Sequence, residues 1–487
     1  MNNRIKVLLV PCPPPSGKIG SGVDRYLDAL NRTMNSDVQY LGLDDPQNIR
    51  ESIVAEAAPT SKASRPRFRL IHLLPRNITL LMGYARDAWR FSRLLRAYRD
   101  QVDLIHVNRV GCEVQSIAAK LAGFKRIVTT IHNLPGESEK DNWVCRLVEW
   151  LSFKCGDVHI AVSEATYEAW RERVGLRRRR ETLDYRLQTI DLSGAHGGRT
   201  LCELSYVRGS DKPRPPKDLL QRSKVYGLWS KVCSRRLNGK CVVIYNGMDP
   251  EDLTGFDRRS YRGQFCEDSD HTFIIGICAR LHRMKGHVVL LEAFAKLLKE
   301  FEQKETKETK GRKLVSAEGE RINSSSFPLF PSVQTPDFSS CLLLIAGSGP
   351  EEARIKAKIA ELGLDAHVRL LGHRNDAERF AACLDLNVLP SVELETVGYS
   401  VIEAMFQGVS SVVSDVGGMK ELIRASGGGR VVPARDVEAL AEAMTTFVND
   451  PVLREQAGHV AQEYARRELT AGKMAGLTLG VYQLTEG

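Results

Sequence analysis

Arg280-Leu-His-Arg-Met-Lys285-Gly286 follows directly on Phe273 to Ile277, an apolar run with the length and composition of a strand. Ligands of open parallel sheets gather beyond the carboxyl ends of strands, so Arg280 and Lys285 stand where an anion binds. A pyrophosphate is the natural candidate, because two fixed cations neutralise charge as a nucleotide departs and so stabilise a transition state. Two surface cations beside a turn would show the same spacing. A second constellation, Glu395-Thr-Val-Gly398-Tyr399-Ser400-Val-Ile-Glu403, follows a strand ending in Val388-Leu389-Pro390-Ser391. Gly398 permits a tight turn, and a helix opening there directs the amides of Gly398, Tyr399 and Ser400 toward a phosphate. Were the whole segment helical, Glu395 and Glu403 would lie about 12 Å apart along the axis, beyond the roughly 5 to 9.5 Å of a paired-carboxylate hydrolase. They are therefore expected to hold different parts of one extended ligand; the alternative is one carboxylate at a helix start and one exposed on the helix.

Three further places carry candidates. Gly347-Ser-Gly349-Pro350 ends another strand and opens a helical stretch, a turn able to bring backbone close to a base or ribose, although many structural turns share this pattern. Gly20-Ser21-Gly22 follows the first strand in the same way. His132 closes the run Thr129-Thr-Ile-His132-Asn133 at a strand's carboxyl end, as a structural histidine or as one that faces a ligand. Neither a GxGxxG fingerprint nor a Walker A sequence is present, which gives NAD and ATP no support.

These residues need strands to hold them. Strand candidates in the first half are Ile5 to Val10, Leu104 to Val107, Ile127 to Ile131, Val158 to Val162 and Val242 to Tyr245. In the second half they are Phe273 to Ile277, Leu342 to Ala346, Val368 to Leu371, Leu386 to Leu389 and Ser411 to Ser414. Amphipathic stretches separate them, so the expectation is α/β: two doubly wound units with parallel sheets. A length of 487 residues also exceeds one ordinary core. The boundary is expected between Asp249 and His271, giving a first domain over 1–260 and a second over 261–468. Two stretches read as exposed or partly disordered insertions: about 177–240, which opens with Arg177 to Arg180, and about 302–340, which passes from a Lys/Glu run to a Ser/Pro-rich segment.

A helix over Ile78 to Tyr98 places Ile78, Leu81, Met82, Ala85 and Trp89 on one stripe and Arg86, Arg90 and Arg93 on another. This is either a domain helix with a solvated basic face or a surface that meets anionic lipid or a charged acceptor. The formal charge of +9 points to an anionic partner of some kind: nucleotide phosphates, lipid head groups or nucleic acid. No aromatic-interleaved basic groove supports nucleic acid. The 11 cysteines lie scattered, as in a reduced, cytosolic chain, and no apolar run reads as a membrane span or secretion signal.

In order along the chain, Gly20-Ser-Gly-Val-Asp-Arg-Tyr, Asp103-Leu-Ile-His-Val, Thr130-Ile-His-Asn, Ala161-Val-Ser-Glu, Val243-Ile-Tyr-Asn-Gly-Met-Asp, Arg280-Leu-x-x-x-Lys-Gly, Gly347-Ser-Gly-Pro and the Glu395 to Glu403 segment with Asp415-Val-Gly-Gly resemble glycosyltransferase group 1, also called family 4. The resemblance implies the GT-B fold, two facing Rossmann-like domains, with a terminal helix over about 469–487 returning to the first. It implies retaining transfer of a hexosyl unit from a nucleotide-diphosphate sugar to an acceptor it does not identify, without a bound metal or other cofactor. Arg280 and Lys285 would grip the diphosphate, Glu395 the hydroxyls of the transferred sugar and Glu403 the ribose, with Gly347 near the base. His132 would face the donor sugar, and Ser21 and Gly22 would approach it. Ser21, Ala279 and Thr396 depart from the small residues, mostly glycine, usual at their positions. The alternatives are a nucleotide-sugar epimerase or phosphorylase on a similar fold, and an inactive module that binds anionic polymer or membrane.

Overall fold

The computed structural model describes residues 5–10, 22–34, 38–42, 76–109, 114–132, 143–174, 187–189, 202–204, 241–315, 340–393 and 395–485. The chain forms two compact units, one of Met1–Ile244 with Met474–Gly487, the other of Tyr245–Lys473.

The first unit contains β1 (Ile5–Val10), α1 (Gly22–Thr33), β2 (Val38–Gly42), α2 (Arg76–Leu95), β3 (Leu104–Arg109), α3 (Gln115–Ala122), β4 (Ile127–Ile131), α4 (Trp143–Cys155), β5 (Val158–Ala161) and α5 (Glu164–Arg173). A two-stranded antiparallel ribbon, β6 (Leu187–Thr189) with β7 (Cys202–Leu204), precedes β8 (Cys241–Val243). The sheet is six-stranded and parallel in the order β2-β1-β3-β4-β5-β8. β1, β4 and β5 are almost wholly buried on both faces, as a sheet covered on both sides requires. The step from β1 back to β2 opposes the steps β2 to β3, β3 to β4 and β4 to β5. Right-handed crossovers therefore put α1 on one face and α2, α3 and α4 together on the other, where α2 packs on α3 and α3 on α4.

In the second unit come α6 (Arg258–Arg262), β9 (Thr272–Cys278), α7 (His287–Val315), β10 (Ser340–Ala346), α8 (Glu352–Glu361), β11 (Val368–Gly372), α9 (Ala377–Cys383), β12 (Leu386–Leu389), α10 (Tyr399–Phe406), β13 (Ser411–Ser414), α11 (Met419–Ser426), β14 (Gly429–Val432), α12 (Val437–Asn449) and α13 (Pro451–Glu468). This sheet is also parallel and six-stranded, in the order β11-β10-β9-β12-β13-β14. Strand order reverses between β9 and β12, which opens a crevice at their carboxyl ends. The core behind it is built from Phe273, Ile275, Ile277, Leu343, Ile345, Val388, Val412 and the helices packed on them. A last helix, α14 (Ala471–Leu484), belongs to the first unit from Met474 onward. There the Tyr482 hydroxyl lies 2.6 Å from His106 Nδ1, and Arg126 donates to the Tyr482 carbonyl at 2.8 Å.

Several expectations need correction. Residues 245–260 join the second unit rather than the first. Arg379 pairs with Glu251, Arg258 and Arg262 both pair with Asp385, and Met248 is hydrogen-bonded through its backbone to Leu469 and Ala471. The Lys/Glu run after residue 302 continues the backbone of α7 as far as Val315 instead of forming a loop, and good helix formers explain it. The Ser/Pro-rich segment, Arg177 to Arg180 and most of the basic insertion lie outside the described residues. In α2 the expected apolar stripe is turned outward: Ile78, Met82, Ala85 and Trp89 are exposed, while Ala88, Phe91, Ser92 and Leu95 are buried. The i, i+3, i+4, i+7 spacing of that second set is the one the core uses. No helix among the described residues is long and apolar enough to cross a membrane.

Candidate active site

Lys285 ends a single 3-10 turn, Arg283–Lys285, beyond β9, and Gly286 then takes a left-handed conformation (φ 72°). A Cβ at Gly286 would meet the Pro390 carbonyl at 2.0 Å, and Val392 donates to the Met284 carbonyl at 2.8 Å. The loops that leave β9 and β12 are thus laced together across the point where strand order reverses. In that crevice Lys285 Nζ donates to Glu395 Oε2, which also accepts from Ser391 Oγ at 3.3 Å. The two charged side chains are 16% and 13% exposed. Such shielding from water makes the pair costly to leave half-made and able to respond to a third charge. Both bonds use Oε2, which leaves Oε1 to accept from a ligand, and the ammonium has two further protons to give.

Arg280 is exposed just beyond β9. Its backbone neighbours run against the Gly347 turn. Ala279 donates to the Ala346 carbonyl, Leu281 donates to the Ser348 carbonyl, and Glu351 donates to the Leu281 carbonyl. Gly347 (φ 142°) and Gly349 would each drive a Cβ into backbone, at 1.9 Å from the Ala279 oxygen and 2.3 Å from the Leu281 oxygen. The two glycines are there because two backbones touch, and the result is a cationic side chain beside a tight strand-to-helix turn.

α10 begins at Tyr399, with Gly398 as its N-cap. Gly398 has φ −76° and ψ 112°, which any residue adopts, so the expected tight turn is not its purpose. A Cβ there would meet Leu389 Cδ2 at 2.8 Å: glycine lets the helix start sit down on β12. The amides of Tyr399 and Ser400 lie in the first turn, where the helix supplies no carbonyl and its dipole favours an anion. Glu395 precedes the helix in an irregular segment, so the helical separation expected between Glu395 and Glu403 does not apply. Glu403 is 2% exposed inside α10, not an outward-facing helix residue. Gly417 and Gly418, after β13, complete this corner. Gly418 donates to the carbonyls of Glu395 and Thr396, and a Cβ on Gly417 would meet the Glu395 oxygen at 1.4 Å.

In the first unit His132 lies one residue beyond β4, buried, with Nε2 3.0 Å from Asn108 Oδ1 and its ring edge-on to Tyr26. Burial pushes its imidazole down to about 3, so it is neutral at ordinary pH. Asn108 Nδ2 donates to the Val10 carbonyl at 3.3 Å, which turns Oδ1 toward the imidazole and makes Nε2 the protonated nitrogen. Asn108 is the next-to-last residue of β3, at the reversal of strand order between β1 and β3. The sequence reading passed over Asn108 and Ser391, although each is a polar residue at a strand's carboxyl end. Gly22 opens α1; Ser21 and Asn133 lie outside the described residues. The structure thus gathers Arg280, Lys285, Gly347, Glu395, Gly398, Tyr399, Ser400 and Glu403 at the carboxyl ends of the second sheet, and His132 at the same end of the first sheet.

Residues 22–183 match the family described as Glycosyltransferase Family 4, and residues 326–464 the family described as Glycosyl transferases group 1. Gly22 and His132 fall in the first stretch and Gly347, Glu395 and Glu403 in the second, whereas Arg280 and Lys285 precede it. Similar proteins include phosphatidyl-myo-inositol mannosyltransferase of Mycobacterium leprae, 35% identical over 132 residues, 27% of this chain and 34% of that protein. The lipopolysaccharide core biosynthesis mannosyltransferase LpcC of Rhizobium leguminosarum bv. viciae is 33% identical over 26% of this chain and 36% of its own length. The chain therefore spans about a third of the length of these relatives. Among solved structures, Anabaena HepE in complex with UDP and glucose has a TM-score of 0.57 at 17% identity, over 99% of this chain and 100% of that one. Sucrose-phosphate synthase of Thermosynechococcus elongatus has the same score and identity over 99% and 98%. These two share the fold: paired Rossmann-like halves of the GT-B type. With both family matches lying in order, one within each unit, the chain belongs to the group 1, family 4 glycosyltransferases.

Proposed function

We propose that this protein transfers a hexosyl unit from a nucleotide-diphosphate sugar to an acceptor, with retention of configuration and without a bound metal. The observation that carries the reading is the Lys285–Glu395 pair held in the β9/β12 crevice, with Arg280 beyond the end of β9 and α10 starting beyond β12. In this reading Arg280 and the remaining Lys285 protons take the diphosphate oxygens, and the first amides of α10 add to the same positive field. Charge that builds on the leaving nucleotide meets donors already in position, which lowers the barrier to departure. Glu395 is anchored through Oε2 and presents Oε1 to the sugar hydroxyls. Glu403 takes the ribose, and the Gly347 turn brings backbone to the base. His132, neutral and with Nε2 committed to Asn108, offers Nδ1 as an acceptor at the carboxyl end of the first sheet. The printed names of the mannosyltransferase relatives and the UDP and glucose of HepE support a hexose on a nucleotide carrier.

Arg280→Ala tests the reading. Exposed and outside the core, Arg280 is replaceable without loss of fold, and its removal is expected to lower turnover by about 10² to 10³ with a responsive donor. Unchanged turnover in a folded Arg280→Ala protein rejects the assignment.

A further inference from the structure

The layer formed by α2, α3 and α4 covers one face of the first sheet, and its outer side carries three of the five tryptophans in the chain. Trp89 on α2 is 53% exposed, and on α4 Trp143 is 52% and Trp150 42% exposed. Tyr84 of α2 lies 3.8 Å from Cys145 of α4, hydroxyl to sulfur, so these two helices are neighbours. Around the indoles Ile78, Met82, Leu121 and Leu151 are exposed as well. Ordinary surfaces show single large apolar side chains; an aromatic and aliphatic group on adjoining helices marks a surface that meets something.

Charge on the same layer runs one way. Arg86, Arg93, Lys120, Arg146 and Lys154 are exposed and Arg90 is half-buried, whereas among the described residues of these helices the only outward carboxylate is Asp87, 3.4 Å from Arg86. Glu149 is buried and held by Arg173 at 2.7 Å. Two of the cations lie over the tryptophans, Arg93 at 5.2 Å from the Trp89 ring centre and Lys154 at 5.6 Å from that of Trp150.

We infer that this face docks on an anionic lipid surface, with the indoles at headgroup depth, the aliphatic groups at the acyl boundary and the cations among the lipid phosphates. Indole suits that depth because its ring is apolar and its N–H polar, and long basic side chains keep their charge outward while their stems lie in the apolar zone. A protein partner is less suited, since protein interfaces disfavour lysine at their centres and a face almost without carboxylates asks for uniformly negative charge. Nucleic acid offers nothing to Ile78, Met82, Leu121 and Leu151, and its single strands run in grooves rather than across the outer side of a helical layer.

The test is sedimentation of the full chain with vesicles of phosphatidylcholine alone or mixed with phosphatidylglycerol, at low and high salt. Binding is expected to the mixed vesicles, weakened by salt, with little to phosphatidylcholine. The double variant Trp89→Ala, Trp150→Ala should lower partitioning by about tenfold or more with an unchanged unfolding midpoint. A charge variant, Arg86→Glu, Arg93→Glu, Lys154→Glu, alters only exposed side chains, so it answers the question even if the double variant folds poorly; it should abolish the preference for phosphatidylglycerol. Equal partitioning of wild type and variants overturns the proposal. So does release from vesicles by a single-stranded oligonucleotide that the chain prefers, or self-association that shields the tryptophans from iodide without lipid, which assigns the face to a second copy of this chain.

Discussion

Gly417 shows how one missing side chain shapes the candidate site. Its left-handed conformation (φ 60°) and the 1.4 Å that would separate a Cβ from the Glu395 oxygen leave room for hydrogen alone. Gly417→Ala is expected to cost about 2 to 4 kcal/mol and to displace Glu395, lowering turnover as well. Gly255 (φ 79°) has the same handedness but nothing within 4 Å of its would-be Cβ, so Gly255→Ala should cost only about 1 to 2 kcal/mol in a urea titration. Equal costs would show that backbone strain rather than the clash decides. The Asp415-Val-Gly-Gly motif is legible as sequence, but its reason is not: spacing does not tell that the glycine makes room for the backbone carbonyl of a residue twenty-odd positions earlier. Gly398 teaches the same from the other side. The sequence offers a tight turn as its reason, whereas the need for glycine comes from Leu389 at the end of β12, against which the helix start rests.

At the scale of elements, the central strands were readable because a covered parallel sheet writes itself as short, predominantly apolar runs. β2 and β14 were not: both are edge strands, one of them Val-Gln-Tyr-Leu-Gly and the other opening on Gly429, with too few apolar residues to stand out from a loop. α2 was legible as a helix and illegible in its facing, since two candidate stripes lie on it and only packing against α3 decides between them. The terminal helix α14 was expected on the first domain from resemblance; the structure adds the bonds that hold it. Tyr482 reaches His106 Nδ1, whose other ring nitrogen lies 2.7 Å from Thr130 Oγ1, all of it buried. Tyr482→Phe should therefore cost about 1 to 3 kcal/mol by leaving a buried imidazole nitrogen unpaired. An unfolding midpoint equal to that of wild type would mean that the Tyr482 hydroxyl adds nothing to the hold on α14, which then rests on its apolar contacts and the Arg126 bonds.

For the whole molecule, buried imidazoles set the response to acid. Burial, and for His106 the neighbouring His132, pushes both down to about 3. Burial and the Lys285 charge push His287 down to about 4. The unfolded chain takes up these protons near pH 6.5, while the folded chain refuses them until the pH has fallen to about 4 for His287 and about 3 for His106 and His132. Their contribution to stability is thus complete above pH 6.5 and is lost as pH falls toward 3. His106→Gln should flatten the acid limb of unfolding free energy against pH by up to about 1.4 kcal/mol per pH unit, and an unaltered slope would count against the buried neutral state.

The return of Met474–Gly487 to the first unit has a bearing on how the protein is made. Roughly 230 residues of the second unit emerge between Ile244 and Met474, which at ribosomal speed takes on the order of ten to fifty seconds. Throughout that interval His106, Thr130 and Arg126 wait without the tyrosine and backbone they will bind, and the apolar ground that α14 covers stays open. A nascent chain in this condition is a natural client for a chaperone, and a message cut short before Tyr482 yields a first half that never closes.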